Sequence, residues 1–537
     1  MKRWLSILLA MVMLLALGAT AVAAPAPKDQ QVLRFPNGTE PETIDPALST
    51  GIPEANIELA IFEGLTRIGP NDVIIPGVAS KWEVSKDGLT WTYHLRKSKW
   101  SNGDPVTAKD FEYAWKRALA PATASEYAYQ LFYIKNAEDF NAGKIKDASQ
   151  LGIKVIDDYT LQVTLASPTP YWDFLTGFPT LMPVHKKFVE ADPKAWFTKP
   201  ETYIGNGPFK LSQWQHNSKL ILVKNENYWD AKKVKLQKIE FSLIDSNTTQ
   251  EAMFETNQLD VLDDIPLPTI ERWKKDPGYE VSPYIGTYYY IVNTNKIKDK
   301  RVRQALYLGF DRKTLVEKIT KGGQAPAYAY TPAGFPDPVK KGAEYRAVGG
   351  NFLTTGDLAK DIEKAKKLLA DAGYPNGKGL SFNILYNTSE SHKRIAEYMQ
   401  QQWKQNLGID VKLSQQEWQV YLDTRDTDNF DLARAGWIGD YVHPMTFMDM
   451  HVTGGGNNDS KWGNKKYDEL IDFAKNTLDQ KAAFKAMHDA EAIMMDEVPV
   501  IPIYFYTELH VFKPWVKNLK VSALGFWQFK EAWVEKH

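Results

Sequence analysis

The chain contains no cysteine among its 537 residues. Disulfides, cysteine-ligated zinc, iron–sulfur clusters, thiol catalysis and a lipidated N-terminal cysteine are all excluded. Charge bias is missing too. Lys and Arg number 65 against 66 Asp and Glu, a net charge of −1. Without a basic excess, nucleic acid and anionic membrane surfaces are poor partners. No internal repeat or low-complexity tract stands out, so solenoids and propellers are not expected. Catalytic signatures are equally scarce. The chain has no G-x-S-x-G elbow, no H-E-x-x-H helix, no Walker A loop and no G-x-G-x-x-G turn. Its nine His are scattered, with no pair at a metal-ligand spacing. No catalytic residue, metal ligand or cofactor is expected. A secreted hydrolase would need two carboxylates about 5–10 Å apart across a cleft; carboxylate pairs such as Asp263-Asp264 occur throughout the chain, and their sequence spacing singles none out.

Long apolar runs are confined to the N-terminus. Lys2 and Arg3 precede an apolar stretch over residues 4–17, and Ala21-Val22-Ala23 has the A-x-A form of a cleavage site. The run is short of the ~20 residues that span a bilayer. Residues 1–23 therefore read as a cleavable signal peptide. The mature protein is expected to be extracytoplasmic, periplasmic or otherwise exported, and not lipid-anchored through Cys.

What is present points to a large α/β protein. The length predicts two to four compact units. Tryptophan is abundant, with 17 residues, which suggests large cores or an aromatic-lined cavity. Leu89, Trp91, Tyr93 and Leu95 alternate with polar residues after the turn Asp87-Gly88, as in a hairpin with Trp82 and Val84. Thr107 and Asp110 form a capping box ahead of Phe111, Ala114 and Trp115. Residues 159–165 read as another strand, and Gly205-Asn206-Gly207-Pro208 is a turn before a strand at 209–214. Further on, Ile362, Ala365, Leu368, Leu369 and Ala372 make one helix face. A strand over 380–386, a helix bearing Ile395, Met399 and Trp403, and a strand over 409–413 make a βαβ unit with a parallel pair. A last strand over 430–437 runs into Gly436-Trp437-Ile438-Gly439-Asp440-Tyr441. Ligands of open α/β sheets collect beyond the carboxyl ends of strands, so this turn is either a bland capped turn or a ligand site.

Several stretches resemble a known family. Ala79-Ser80-Lys81-Trp82-Glu83, Asp87-Gly88-Leu89-Thr90-Trp91 and Trp100-Ser101-Asn102-Gly103-Asp104-Pro105-Val106-Thr107-Ala108-Lys109-Asp110-Phe111 are similar to a signature of the extracytoplasmic solute-binding proteins of bacterial peptide ABC importers. Asn37-Gly38-Thr39-Glu40-Pro41-Glu42-Thr43-Ile44-Asp45-Pro46 resembles that family's opening strand and turn. Arg301-Val302-Arg303-Gln304-Ala305-Leu306 with Asp311-Arg312, the run Ala433-Arg434-Ala435-Gly436-Trp437 with Asp440-Tyr441, and Lys513-Pro514-Trp515-Val516 extend the resemblance over nearly the whole mature chain.

The resemblance implies a bilobal clamshell, type II-like and of cluster C, with an extra domain on one lobe. Domain I would be discontinuous (24–66, 185–284 and 507–537). Domain II, the extra one, would span 67–184 and domain III 285–506, with crossings at residues 284–290 and 504–506. A short peptide would lie between the lobes as an added strand, in hydrated side-chain pockets. The partners would be peptide and an ABC permease and ATPase complex, with the receptor a monomer. Residue by residue, the resemblance makes Asp440 the partner of the ligand α-ammonium and Glu54 a contact from domain I. Trp418, Trp437, Tyr127 and Tyr289 would wall the pockets. Gly436 and Ile438 would offer backbone groups, and Arg434 and His392 would meet the ligand carboxylate. One family member has a cysteine pair at the positions of Gly286 and Ile438, and a Lys at that of Thr320; neither is kept here. The same fold tuned to a dipeptide, a murein peptide, an oligosaccharide, nickel or haem is the alternative.

Overall fold

The computed structural model describes residues 24–69 and 72–537. The signal segment at 1–23 lies outside the described residues. Along the chain, strand β1 (Val32–Pro36) is followed by helix α1 (Ile52–Ile61), which is preceded by Gly51 and carries Pro53 in its first turn. Next come β2 (Ala79–Val84), β3 (Thr90–Leu95), α2 (Ala108–Leu119), β4 (Ile153–Asp157) and β5 (Thr160–Thr164). These four strands form one antiparallel sheet in the order β2-β3-β5-β4. The Asp87-Gly88 hairpin is present, with Trp82 opposite Tyr93 and Val84 opposite Trp91. Helix α2 opens on the reciprocal Thr107–Asp110 box, which satisfies two of its free amides. Its apolar face buries Trp115, whose indole donates to the Leu181 carbonyl at 2.8 Å.

The chain then builds β6 (Phe209–Gln215), β7 (Lys219–Lys224) and β8 (Lys238–Ser242). They join β1 in a second sheet, ordered β1-β8-β7-β6, with β1 and β8 parallel. Strands β9 (Val261–Leu262) and β10 (Tyr279–Ser282) lead to the central strand β11 (Gly286–Val292). All seven residues of β11 are buried. The elements that frame the site follow: β12 (Ala325–Pro326), α3 (Leu358–Asp371), β13 (Ser381–Asn387), α4 (Glu390–Leu407), β14 (Asp410–Gln416), α5 (Trp418–Asp426), β15 (Leu432–Ile438), β16 (Val500–Phe505) and β17 (Glu508–Phe512). Helix α4 stops at Gly408, where φ is +73° and a side chain would be strained.

A six-stranded mixed sheet runs β12-β16-β11-β15-β13-β14. Its β13 and β14 are parallel and in register from Ser381 opposite Asp410 to Asn387 opposite Gln416. That is the expected βαβ unit, with strand limits displaced by one to three residues. Strands β9, β17 and β10 make a separate three-stranded sheet. The chain passes between these two sheets twice, at residues 283–285 and at 506–507, and Tyr506 N–H donates to the Gly286 carbonyl at 3.0 Å. The crossings are shorter than the sequence suggests. Tyr288, Tyr289 and Tyr290 pair with β15 and β16 and belong to the sheet, because buried aromatic residues suit a central strand. The tryptophans divide between two uses. Trp100, Trp115, Trp172, Trp196 and Trp403 are core, whereas Trp418 and Trp437 face a cavity.

Candidate functional site

The central feature is an interior cavity of about 320 Å³ at the carboxyl end of β15. Its wall combines α1 and the turn before it, the 3-10 helix Glu126–Leu131, the start of α4, α5 and β15. Nine of the residues singled out above line it: Tyr127, Tyr289, His392, Trp418, Arg434, Gly436, Trp437, Ile438 and Asp440. Glu54 does not. It lies behind the wall at 1 % exposure, where Oε1 accepts from Glu42 N–H at 2.7 Å and from the Trp418 indole at 3.3 Å. Glu54 therefore props Trp418 from the rear.

Strand β15 presents a free backbone edge to the cavity. It pairs with β11 along its whole length, Gly286 opposite Ile438 through Val292 opposite Leu432. On its other side it meets β13 only at Leu432 and Ala433. Backbone groups alternate between the two edges of a strand. The Gly439 amide donates to Ile285 on the β11 side, while the Arg434 carbonyl accepts from the Tyr421 hydroxyl on the other. By that alternation Gly436 and Ile438 direct N–H and C=O to the unpaired edge. Gly436 is exposed, and a Cβ there would meet the Tyr506 hydroxyl at 2.5 Å. Only glycine keeps this stretch of edge open beside Tyr506.

Asp440 sits just past this edge at 6 % exposure. Gln130 Nε2 donates to Oδ2 at 2.6 Å, Tyr127 Oη to Oδ1 at 3.4 Å, and Thr446 Oγ1 to Oδ2 at 3.4 Å. All three partners are neutral. Burial, and then the charge of Asp449, hold its carboxyl well above the usual range. The site is thus a desolvated carboxylate with donors but no cation. Sequence reasoning found Tyr127 but missed Gln130. The signal was the spacing: in a 3-10 helix, residues i and i+3 eclipse, so Tyr127 and Gln130 reach the same oxygen pair.

The aromatic walls are fixed by their own contacts. The Trp437 indole donates to the Thr446 carbonyl at 2.8 Å, and its ring stacks on Tyr127 at 6.0 Å. Trp418 stacks on Tyr421 at 5.9 Å. Tyr289 packs edge-on against Tyr330 at 5.1 Å.

At the other end Arg434 contacts Tyr506 Oη at 2.9 Å and Asn387 Oδ1 at 3.3 Å, both neutral, with its plane over Tyr288. His392 stands beside it. Burial, then the Arg434 charge, push its imidazole well below its usual range, so it is neutral at pH 7. Three carboxylates distant in sequence, Glu42, Glu126 and Asp426, also line the cavity. Burial first, and then Asp426, raise Glu42 to about 7 and Glu126 to about 8. Arg425, nearby, is committed to Asp459. No spacing along the chain announces this group, because its members meet only in the folded cleft.

Residues 73–459 match the model for the bacterial extracellular solute-binding proteins, family 5, middle region. The chain belongs to that family. The oligopeptide-binding protein OppA of Bacillus subtilis is 38 % identical over 550 residues, covering 99 % of each chain. Among solved family 5 structures, Haemophilus influenzae OppA in complex with RPPGFSPFR superposes with a TM-score of 0.90 at 35 % identity, covering 95 % of this chain and 99 % of that one. An unliganded open form of the periplasmic murein tripeptide-binding protein MppA gives only 0.64 at 36 % identity, with 96 % and 99 % covered. Equal identity with unequal superposition separates conformation from ancestry. The family 5 clamshell described here has the closed arrangement. Like its relatives it is a bilobal α/β protein, and the residues paired as Gly286 and Ile438 are cross-strand neighbours.

Proposed function

We propose that this chain is the extracytoplasmic receptor of a peptide ABC importer. It binds short peptides between its lobes and presents them to a membrane permease and its ATPase, as a monomer and without chemical turnover. The observation that carries this reading is Asp440, a buried carboxylate facing the cavity with neutral hydrogen-bond partners only. An ionised carboxylate taken from water needs a countercharge, and a peptide N-terminus supplies one at a fixed distance from its own backbone.

The peptide backbone adds to the free edge of β15 at Gly436 and Ile438, which fixes the ligand without reading its side chains. Trp437, Tyr127, Trp418 and Tyr289 wall the side-chain pockets. Arg434 meets the ligand carboxylate as the charge, and neutral His392 contributes a hydrogen bond. Glu54 acts by holding Trp418.

The division of the chain into 24–66 with 185–284 and 507–537, then 67–184, then 285–506, is supported by the sheets, each of the four larger ones falling inside one of these parts. Export by the 1–23 signal and the absence of a lipidated Cys complete the reading. No described helix is long and apolar enough to cross a membrane. Calorimetry on a tripeptide and its N-acetylated twin tests it: the free amine should bind and the acetylated twin poorly. Equal affinity would remove Asp440 as the amine anchor.

A further inference from the structure

A second constellation lies outside the peptide cavity, in the three-stranded sheet. β17 is its middle strand, and Val261 and Leu262 of β9 stand opposite Phe512 and Val511. Continued one step, that register sets Asp263 opposite His510. Glu508 lies two residues before His510 on the same strand, and the pleat sends both side chains to one face. The result is a convergence of three potential ligands: one donor atom from each of Asp263, Glu508 and His510 lies within 4.8 Å of the other two. His510 Nδ1 is 2.9 Å from Asp263 Oδ1, and Nε2 is 3.8 Å from Glu508 Oε2.

Two details set this cluster apart from an ordinary ion pair. His510 is fully buried, at 0 % exposure, yet its Nε2 has no hydrogen-bond partner. Glu508 Oε2, which faces that nitrogen, has none either. Buried polar atoms are nearly always paired, so two facing orphans mark a place for a third body. The approach is also built. Asp263 and Glu508 line a cavity of about 220 Å³, together with oxygen-bearing Thr320, Gln324 and Ser391.

We propose that Asp263, Glu508 and His510 bind one divalent transition-metal ion of the zinc class. One imidazole and two carboxylates are a borderline donor set that suits zinc better than magnesium or calcium, which take oxygen shells. Three protein ligands leave a position for water from the cavity. The site stands at the foot of the hinge, because β17 begins directly after the crossing at 506–507, and Thr320 and Gln324 reach it from the six-stranded body. The three ligands themselves lie outside the peptide cavity, although the cavity that leads to them shares His392 and Tyr284 with it.

The test uses tag-free protein stripped with chelator and titrated with zinc alone. One equivalent should bind, and His510→Asn and Glu508→Gln should each weaken zinc about 10-fold or more. Should His510→Asn fail to fold, Glu508→Gln and Asp263→Asn, whose side chains reach the cavity, carry the test. A zinc-dependent rise in Tm for the unmodified protein, lost in those two variants, supports the site. No zinc bound at about 100 μM free ion, or binding unchanged in Glu508→Gln and Asp263→Asn, overturns it.

Discussion

At the scale of the residue, the peptide cavity is an arrangement of charges held out of water. Asp440 has donors from Gln130, Tyr127 and Thr446 but no cation. Removing one member of a buried charge pair costs about 2–5 kcal/mol, much of it from the partner left unpaired. Asp440→Asn keeps the shape, so tripeptide affinity should fall between roughly 30-fold and several thousand-fold, read by calorimetry. Glu126 works in the opposite direction. Its carboxyl is raised to about 8 in this closed form, first by burial and then by Asp426. A carboxyl raised in the closed form binds its proton more tightly there than in the open form. Closure is then favoured below the ordinary carboxylate value, near 4.3, and is opposed progressively as pH rises through about 8. Affinity for a tripeptide with uncharged side chains should accordingly decline between pH 6 and pH 9, with proton uptake on binding. Glu126→Gln should flatten that slope. A slope unchanged in the variant would assign it to other groups, Glu42 first.

At the scale of the element, β15 does two jobs with its two edges. One is sewn to β11, and the other is unpaired beyond Ala433, where the proposed ligand would add. Gly286 and Ile438 form the first rung of the β11–β15 ladder. The Gly286 carbonyl accepts from Tyr506 on the far side, so this rung is not hydrogen-bonded to β15. Such pairs bring Cα atoms to about 4.5 Å, within disulfide range. A Gly286→Cys, Ile438→Cys double variant should oxidise spontaneously and gain about 2–4 kcal/mol without loss of peptide affinity, since both residues sit in one sheet. Thiol titration and thermal unfolding with and without reductant check it. The elements themselves were largely legible. The β13-α4-β14 unit, the Asp87-Gly88 hairpin and the Thr107–Asp110 box follow from period and capping chemistry, which are local. Asp440, Trp437 and Arg434 were legible because the motif around them is contiguous. What escaped is non-local. Glu42, Glu126 and Asp426 come together only through closure, and Asp263 and His510 are 247 residues apart. The inward fold of Glu54 behind Gly51 depends on Trp418, an equally remote partner.

At the scale of the whole molecule, the decisive quantity is the balance between open and closed lobes. The closed arrangement described here superposes on a peptide complex at 0.90 and on an open unliganded relative at 0.64. On the proposed reading, closing over peptide would pair Asp440 with an ammonium. Closing over nothing leaves the carboxyl with neutral donors alone, where burial holds it well above its usual range, so empty closure must either desolvate the ion or take up a proton. The charge therefore acts as a lock on the empty clamshell. On this reading the open form is favoured without ligand, and the ligand amine would supply the differential binding that a population shift requires. Among the described residues two short crossings join the three-stranded and six-stranded sheets, so the rotation falls on a few residues. Small-angle scattering should give a smaller radius of gyration once tripeptide is added to stripped protein. The ligand-free Asp440→Asn variant provides the sharper measurement. It removes the penalty of empty closure, each 1.4 kcal/mol of which multiplies the closed population about tenfold. Its radius without peptide should lie below that of the ligand-free unmodified protein, and its response to peptide should shrink. A variant that stays as open as the unmodified protein would show that the lobes are held apart by something other than this carboxylate.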